Sequence, residues 1–69
     1  MEKFAVRIKS LRTGRRIYQR EVAEYLGVTT RTYQAYELGE TEPSIARLIA
    51  LADFFQVPLD YLMGRSDTL

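Results

Sequence analysis

Cysteine, histidine and tryptophan are all missing from this 69-residue chain. Without cysteine there is no disulfide and no thiolate metal site. Without histidine the chain lacks the usual neutral-pH acid and base and the commonest remaining metal ligand. No ordinary nucleophile-and-base pair can then be assembled, so no catalytic residue, metal ligand or cofactor is assigned, and an enzyme is not expected. Long apolar runs are absent too. Nowhere do eighteen apolar residues follow one another, and no charged patch leads into an apolar stretch at the N-terminus, so neither a membrane span nor a signal peptide is read, and the expected compartment is the cytoplasm. A chain this short is expected to be one domain, residues 1–69, with nearly every apolar residue in a single core.

The formal net charge is only +1, but its distribution is uneven. Lys3, Arg7, Lys9, Arg12, Arg15, Arg16 and Arg20 place seven of the ten basic residues in the first twenty positions. From Glu21 onward eight carboxylates face only Arg31, Arg47 and Arg65. Such asymmetry is the expected footprint of a protein with one phosphate-facing side, although a solvated helix explains the first nine positions equally well.

Periodicity predicts five short helices and no strand. Phe4, Ile8 and Leu11 recur at helical spacing over about 2–13, and Thr13-Gly14 supplies a stop. Gln19 to Leu26 carries Val22, Ala23 and Leu26 on one face, and Gly27 follows as a left-handed end. Thr29 is an N-cap for a third helix that turns Tyr33 and Tyr36 inward, leaves Thr30, Arg31, Gln34 and Ala35 outward, and closes at Gly39. After the Glu40–Pro43 loop, Ser44 caps a fourth helix carrying Ile45, Leu48, Leu51, Ala52 and Phe55. Pro58 opens a last turn with Leu59 and Leu62.

Residues 19–38 satisfy several constraints at once. Two helices joined by a three- or four-residue turn cross closely, which requires a very small residue at the crossing and a turn that tolerates positive φ. Ala23 and Gly27 meet those demands, while Val22, Leu26, Val28, Tyr33 and Tyr36 supply the apolar packing. The run QREVA at 19–23, the turn LGVTTRT, the third-helix end YELG followed by EPS, and the tail LADFFQVPLDYLMGRSD closely resemble the phage-repressor and Cro-type helix-turn-helix family. The resemblance runs from about Phe4 to Asp67. It implies an all-α, compact five-helix, lambda-repressor-like domain without cofactors, with a helix-turn-helix made by helices 2 and 3.

The resemblance also implies roles residue by residue. Gln19 matches a glutamine that bonds a DNA phosphate and braces base-reading side chains. Thr30, Arg31 and Ala35 match positions that meet base edges, and Gln34 a position that does so in some members. Arg12 and Glu37 match an internal ion pair between the first and third helices. Chemistry agrees with the reading surface. An arginine fork fits guanine O6 and N7, a glutamine fits adenine N6 and N7, and a threonine or alanine methyl can touch the thymine methyl. Phosphate contacts are expected from Gln19, from the helix starts at Tyr18 and Thr29, from the Thr32 hydroxyl, from Arg15 and Arg16, and from Thr41 in the loop.

Three positions depart from the family pattern. Arg16 stands where a glycine commonly ends the first helix, Tyr18 replaces a serine or threonine cap, and Glu40 and Glu42 occupy a loop that is often basic.

A chain of this length has a radius of gyration of about 11 Å, too small to reach two major-groove faces about 34 Å apart. A twofold homodimer on a roughly palindromic operator of double-stranded DNA is therefore expected, assembled either beforehand or only on the DNA. The family pairs through its C-terminal helices, here about 44–63, which makes Phe54, Val57, Pro58, Leu59, Tyr61 and Met63 the candidate dimer surface. Phe54 has an equally good reading as a lid on the core. The favoured function is transcriptional repression, as in phage and mobile-element regulators. The alternative is an antitoxin-like or coactivator-like adaptor working through protein contacts.

Overall fold

Local chemistry at each end sets the helix boundaries. The computed structural model describes residues 2–69, and among these the chain forms α1 (Glu2–Gly14), α2 (Gln19–Leu26), α3 (Thr30–Glu37), α4 (Ile45–Phe55) and α5 (Leu59–Leu62), with no strand. Thr29 and Ser44 sit in extended backbone and cap α3 and α4. Their hydroxyl oxygens accept from the Thr32 and Arg47 backbone N–H groups at 3.1 and 3.2 Å, and each such cap contributes about 1 kcal/mol. Tyr18 makes no side-chain cap bond to α2. Instead the Glu21 carboxylate accepts from the Tyr18 N–H at 3.4 Å, one arm of a capping box.

All five helices end alike. The chain turns through a left-handed residue, namely Arg16 (φ +57°), Gly27 (+73°), Gly39 (+74°), Gln56 (+55°) and Gly64 (+78°). The N–H after it then reaches back five positions, from Ile17 to Arg12, Val28 to Ala23, Glu40 to Ala35, Val57 to Ala52 and Arg65 to Asp60, at 2.9–3.1 Å. This is the Schellman arrangement, which satisfies carbonyls that a helix end would otherwise leave open. The stop expected at Thr13-Gly14 is thus displaced. Gly14 is still helical, and Arg16 makes the turn at a steric cost that glycine would avoid. Gly64 has a second constraint, because a Cβ there would lie 2.7 Å from the Lys3 side chain.

The core gathers Phe4 and Ile8 from α1, Val22 and Ala23 from α2, Tyr33 and Tyr36 from α3, Leu48, Leu51, Ala52 and Phe55 from α4, and Leu62 from α5. Apolar residues just past the Schellman turns fold back onto it: Ile17 and Val28 in part, Val57 fully. Val57 therefore leaves the surface on which it was expected. Ile45 is a second correction. It opens α4 beyond the packed stretch and is 74% exposed rather than inward.

The C-terminal turn is fastened to α1 by Arg7. One guanidinium nitrogen donates to the Tyr61 and Ser66 carbonyls at 2.5 and 2.6 Å, the other pairs with Asp67, and the group lies 4.2 Å from the centre of the Tyr61 ring. No helix among the described residues is long and apolar enough to cross a membrane.

Candidate nucleic-acid interface

The α2–α3 pair rests on the small residue and the left-handed turn that the sequence supplies. Ala23 is buried at the crossing and Gly27 turns the chain so that only Val28 and Thr29 separate it from α3. The Thr29 hydroxyl also donates to Thr32 Oγ1 at 3.0 Å, so both threonines are tied at the start of α3.

Eight residues of α3 divide sharply by face. Tyr33, Tyr36 and Glu37 are buried. Thr30, Arg31 and Gln34 are exposed and Ala35 is half-buried. Among the described residues no side-chain hydrogen bond or ion pair is formed by Thr30, Arg31 or Gln34. Three groups able to hydrogen-bond base edges thus stand on one face with their capacity unused.

Behind that face lies a polar cluster centred on Glu37. Its carboxylate accepts from Arg12 Nε at 2.6 Å and Nη2 at 3.0 Å, from the Tyr33 hydroxyl at 2.5 Å and from Gln19 Nε2 at 3.1 Å. Arg12 also donates to the Ile17 carbonyl at 2.9 Å, which ties the α1–α2 connection to the same centre. Burial pushes the Glu37 pKa up, but the hydrogen bonds from Arg12, Tyr33 and Gln19 outweigh it and hold the group below the usual glutamate value. The bond to Glu37 raises Arg12 further, and burial followed by the bond to Glu37 raises the Tyr33 phenol. The cluster is therefore a charged pair with a neutral phenol and a neutral amide.

Gln19 stands between this cluster and the surface. Half-buried, it lines a shallow recess together with Lys9, Tyr18, Gln34 and Leu38. Spacing and periodicity missed the links from Gln19 and Tyr33 to Glu37. The available signal was a tyrosine rather than a phenylalanine one helical turn before a buried glutamate. Lys9 shares the recess with both glutamines.

The expected phosphate residues are not all placed alike. Arg16 and Tyr18 are exposed at the start of α2, and the Arg20 guanidinium lies 5.1 Å from the centre of the Tyr18 ring. Thr41 is exposed in the loop after α3. Arg15, by contrast, donates to the Phe55 carbonyl at 2.6 Å and so closes the end of α4. At the C-terminal surface Phe54 is half-buried, its ring 5.0 Å from those of Tyr25 and Phe55. Leu59, Tyr61 and Met63 are half-buried and Pro58 is exposed.

Five helices with the second and third set as a turn-linked pair define a helix-turn-helix domain. The helix-turn-helix family model matches residues 8–62, and the chain belongs to that family. A cryptic-phage CTXphi transcriptional repressor, RstR of Vibrio cholerae, is 40% identical over 65 residues, covering 94% of this chain and 59% of that protein. The HTH-type transcriptional regulator YqaE of Bacillus subtilis (strain 168) is 38% identical over 60 residues, or 87% of this chain and 52% of that one. The chain thus spans between half and two thirds of these relatives' length. Among solved structures, the P22 c2 repressor in complex with a synthetic operator superposes with a TM-score of 0.80 at 32% identity, covering 86% of this chain and 89% of that one.

Proposed function

We propose that this chain is a sequence-specific double-stranded DNA-binding transcriptional regulator that represses by occupying an operator as a twofold dimer. One observation carries the reading: Thr30, Arg31 and Gln34 stand exposed on α3, their side chains unpaired among the described residues, in a fold shared with a repressor described in complex with an operator. Arg31 supplies the guanine-reading fork, Gln34 an amide suited to adenine, and Thr30 and Ala35 methyls for thymine. Gln19, Tyr18, Thr29, Thr32, Thr41 and Arg16 supply backbone contacts, and Arg15 contributes less because one arm closes α4. Pro58, Leu59, Tyr61 and Met63 with the edge of Phe54 form the dimer surface. A radius of gyration of 10.7 Å leaves one copy too small to reach two half-sites about 34 Å apart. The setting is the cytoplasm, and the residues carry DNA recognition rather than catalysis.

Selection of bound duplexes from a random pool tests this directly. The expected result is a palindrome with half-sites one helical turn apart and binding that weakens steeply with salt, by about 0.9 in log affinity per log salt for each phosphate contact. Absence of enrichment, or a flat salt response, would overturn it.

A protein-contact reading draws on a different observation. Ile45 and Ile49, one turn apart on α4, are 74% and 47% exposed, an apolar stripe suited to a partner. Loss of regulation on changing these isoleucines, with DNA affinity intact, would favour that reading.

A further inference from the structure

Glu37 has two roles that are separable. Its bonds to Arg12 and Tyr33 hold α1 and α3 together, but the bond from Gln19 Nε2 at 3.1 Å does something else, because Gln19 belongs to the surface proposed to meet DNA. We propose that Glu37 is a positioning residue for DNA binding: its buried carboxylate fixes the rotamer and the amide orientation of Gln19 before DNA arrives. This inference rests on the DNA-binding reading above.

A glutamine amide has an N–H side and a carbonyl side, and a side chain in water can present either. The Glu37 carboxylate is an acceptor only, so it selects the N–H side and excludes the flipped amide, whose oxygen would face a negative charge. One Nε2 hydrogen is thereby committed inward. The second N–H and the carbonyl oxygen stay available at the recess that Gln19 shares with Gln34 and Lys9. The N–H can donate to a phosphate oxygen, and the carbonyl can accept from the Gln34 amide or the Lys9 ammonium, which would carry the fixed orientation on to a base-reading side chain. The carboxylate is itself held by Arg12 from α1 and Tyr33 from α3, with its side chain only 3% exposed, so it cannot follow Gln19 if that side chain moves. Ordering a free glutamine at an interface costs conformational entropy, and a pre-set one avoids that cost.

The test is a double-mutant cycle in DNA affinity between Glu37→Gln and Gln19→Ala, measured on the duplex selected from a random pool and under conditions where denaturation curves show each variant folded. Tyr33→Phe is the control, since it removes a bond to Glu37 without touching Gln19. Expected is a loss of about three- to tenfold for Glu37→Gln in the parent, less than twofold in the Gln19→Ala background, and less than twofold for Tyr33→Phe despite its lower melting temperature. Nitrogen-proton NMR of the free protein gives a readout that needs no DNA. The two Gln19 amide protons should be widely separated in the parent and converge in Glu37→Gln. Equal losses in both backgrounds, no loss at all, or Gln19 amide protons unaffected by Glu37→Gln would overturn the positioning role while leaving DNA binding intact. A parent that binds no duplex would overturn the DNA reading and this inference together.

Discussion

On the inner side of α3 the Glu37 carboxylate accepts four hydrogen bonds from three side chains, whereas on the outer side the side chains of Thr30, Arg31 and Gln34 make none among the described residues. The two sides belong to one eight-residue helix and differ only in what surrounds them. Inside, every polar group is matched, because an unmatched buried charge would cost several kcal/mol. Outside, water satisfies the same kinds of group at little cost, and they stay available for a ligand that can displace it. Substitutions on the inner side should therefore move stability, and those on the outer side affinity, with Glu37 reaching affinity as well through its bond from Gln19.

The largest separation is expected from Glu37→Ala. It strands the Arg12 guanidinium in a nearly closed site, its side chain 13% exposed, and removes the acceptor for Tyr33 and Gln19. Breaking a buried pair from one side costs about 3–5 kcal/mol, a large part of the total stability of a domain this size. Urea denaturation checks this, and a loss below about 1 kcal/mol would show that the cluster is not what holds α1 to α3. Acid should act on the same centre more gently. Glu37 is held below the ordinary glutamate value of 4.5 in the folded chain, so its contribution is complete above that pH and is lost as the pH falls through the lower folded value. The melting temperature of the parent should drop on acidification below about pH 4.5, and that of Glu37→Gln should drop less.

Arg31→Ala is the outer-side counterpart. With no partner to lose, it should leave the melting temperature within about a degree or two, as for other exposed sites, and weaken binding to the preferred operator by about 1–3 kcal/mol while relaxing preference at one base position. Equal loss on specific and random duplexes would make Arg31 a phosphate contact. Loss of stability instead would break the comparison between the two faces.

Much of this frame can be read from residue types and spacing. Thr29 and Ser44 mark helix starts, Gly27 and Gly39 mark ends, and the tyrosines at 33 and 36 fall inward on helical period. What escaped such reading has a common cause, which is that the partner lies far away in sequence. The basic first twenty residues suggest a phosphate-facing side, yet Arg7, Arg12 and Arg15 are drawn to Tyr61, Glu37 and Phe55, between 25 and 54 positions distant. An arginine carries the same charge whether it meets a phosphate or a carbonyl at a helix end. Val57 and Ile45 show the same limit for apolar residues. Val57 turns inward just past the left-handed Gln56, and Ile45 stands exposed on the first turn of α4.

The smallest predicted effects concern the two helix ends that lack glycine. Arg16 and Gln56 hold φ values of +57° and +55°, where an L side chain meets its own backbone. Glycine relieves that clash but is freer in the unfolded chain, so the net gain from either substitution should be about 0.5–1 kcal/mol. Gln56→Gly ends α4 away from the outer side of α3 and should raise the melting temperature with operator affinity unchanged. Arg16→Gly should raise it similarly but also remove a positive charge from the start of α2, reducing the salt slope by about one phosphate contact. If both variants stabilise and only Arg16→Gly loses affinity, arginine at this helix end is kept for DNA at the expense of the fold. If neither loses affinity, Arg16 is a solvated charge, and the phosphate side of the domain narrows to Gln19, Thr32, Thr41 and the helix starts at Tyr18 and Thr29.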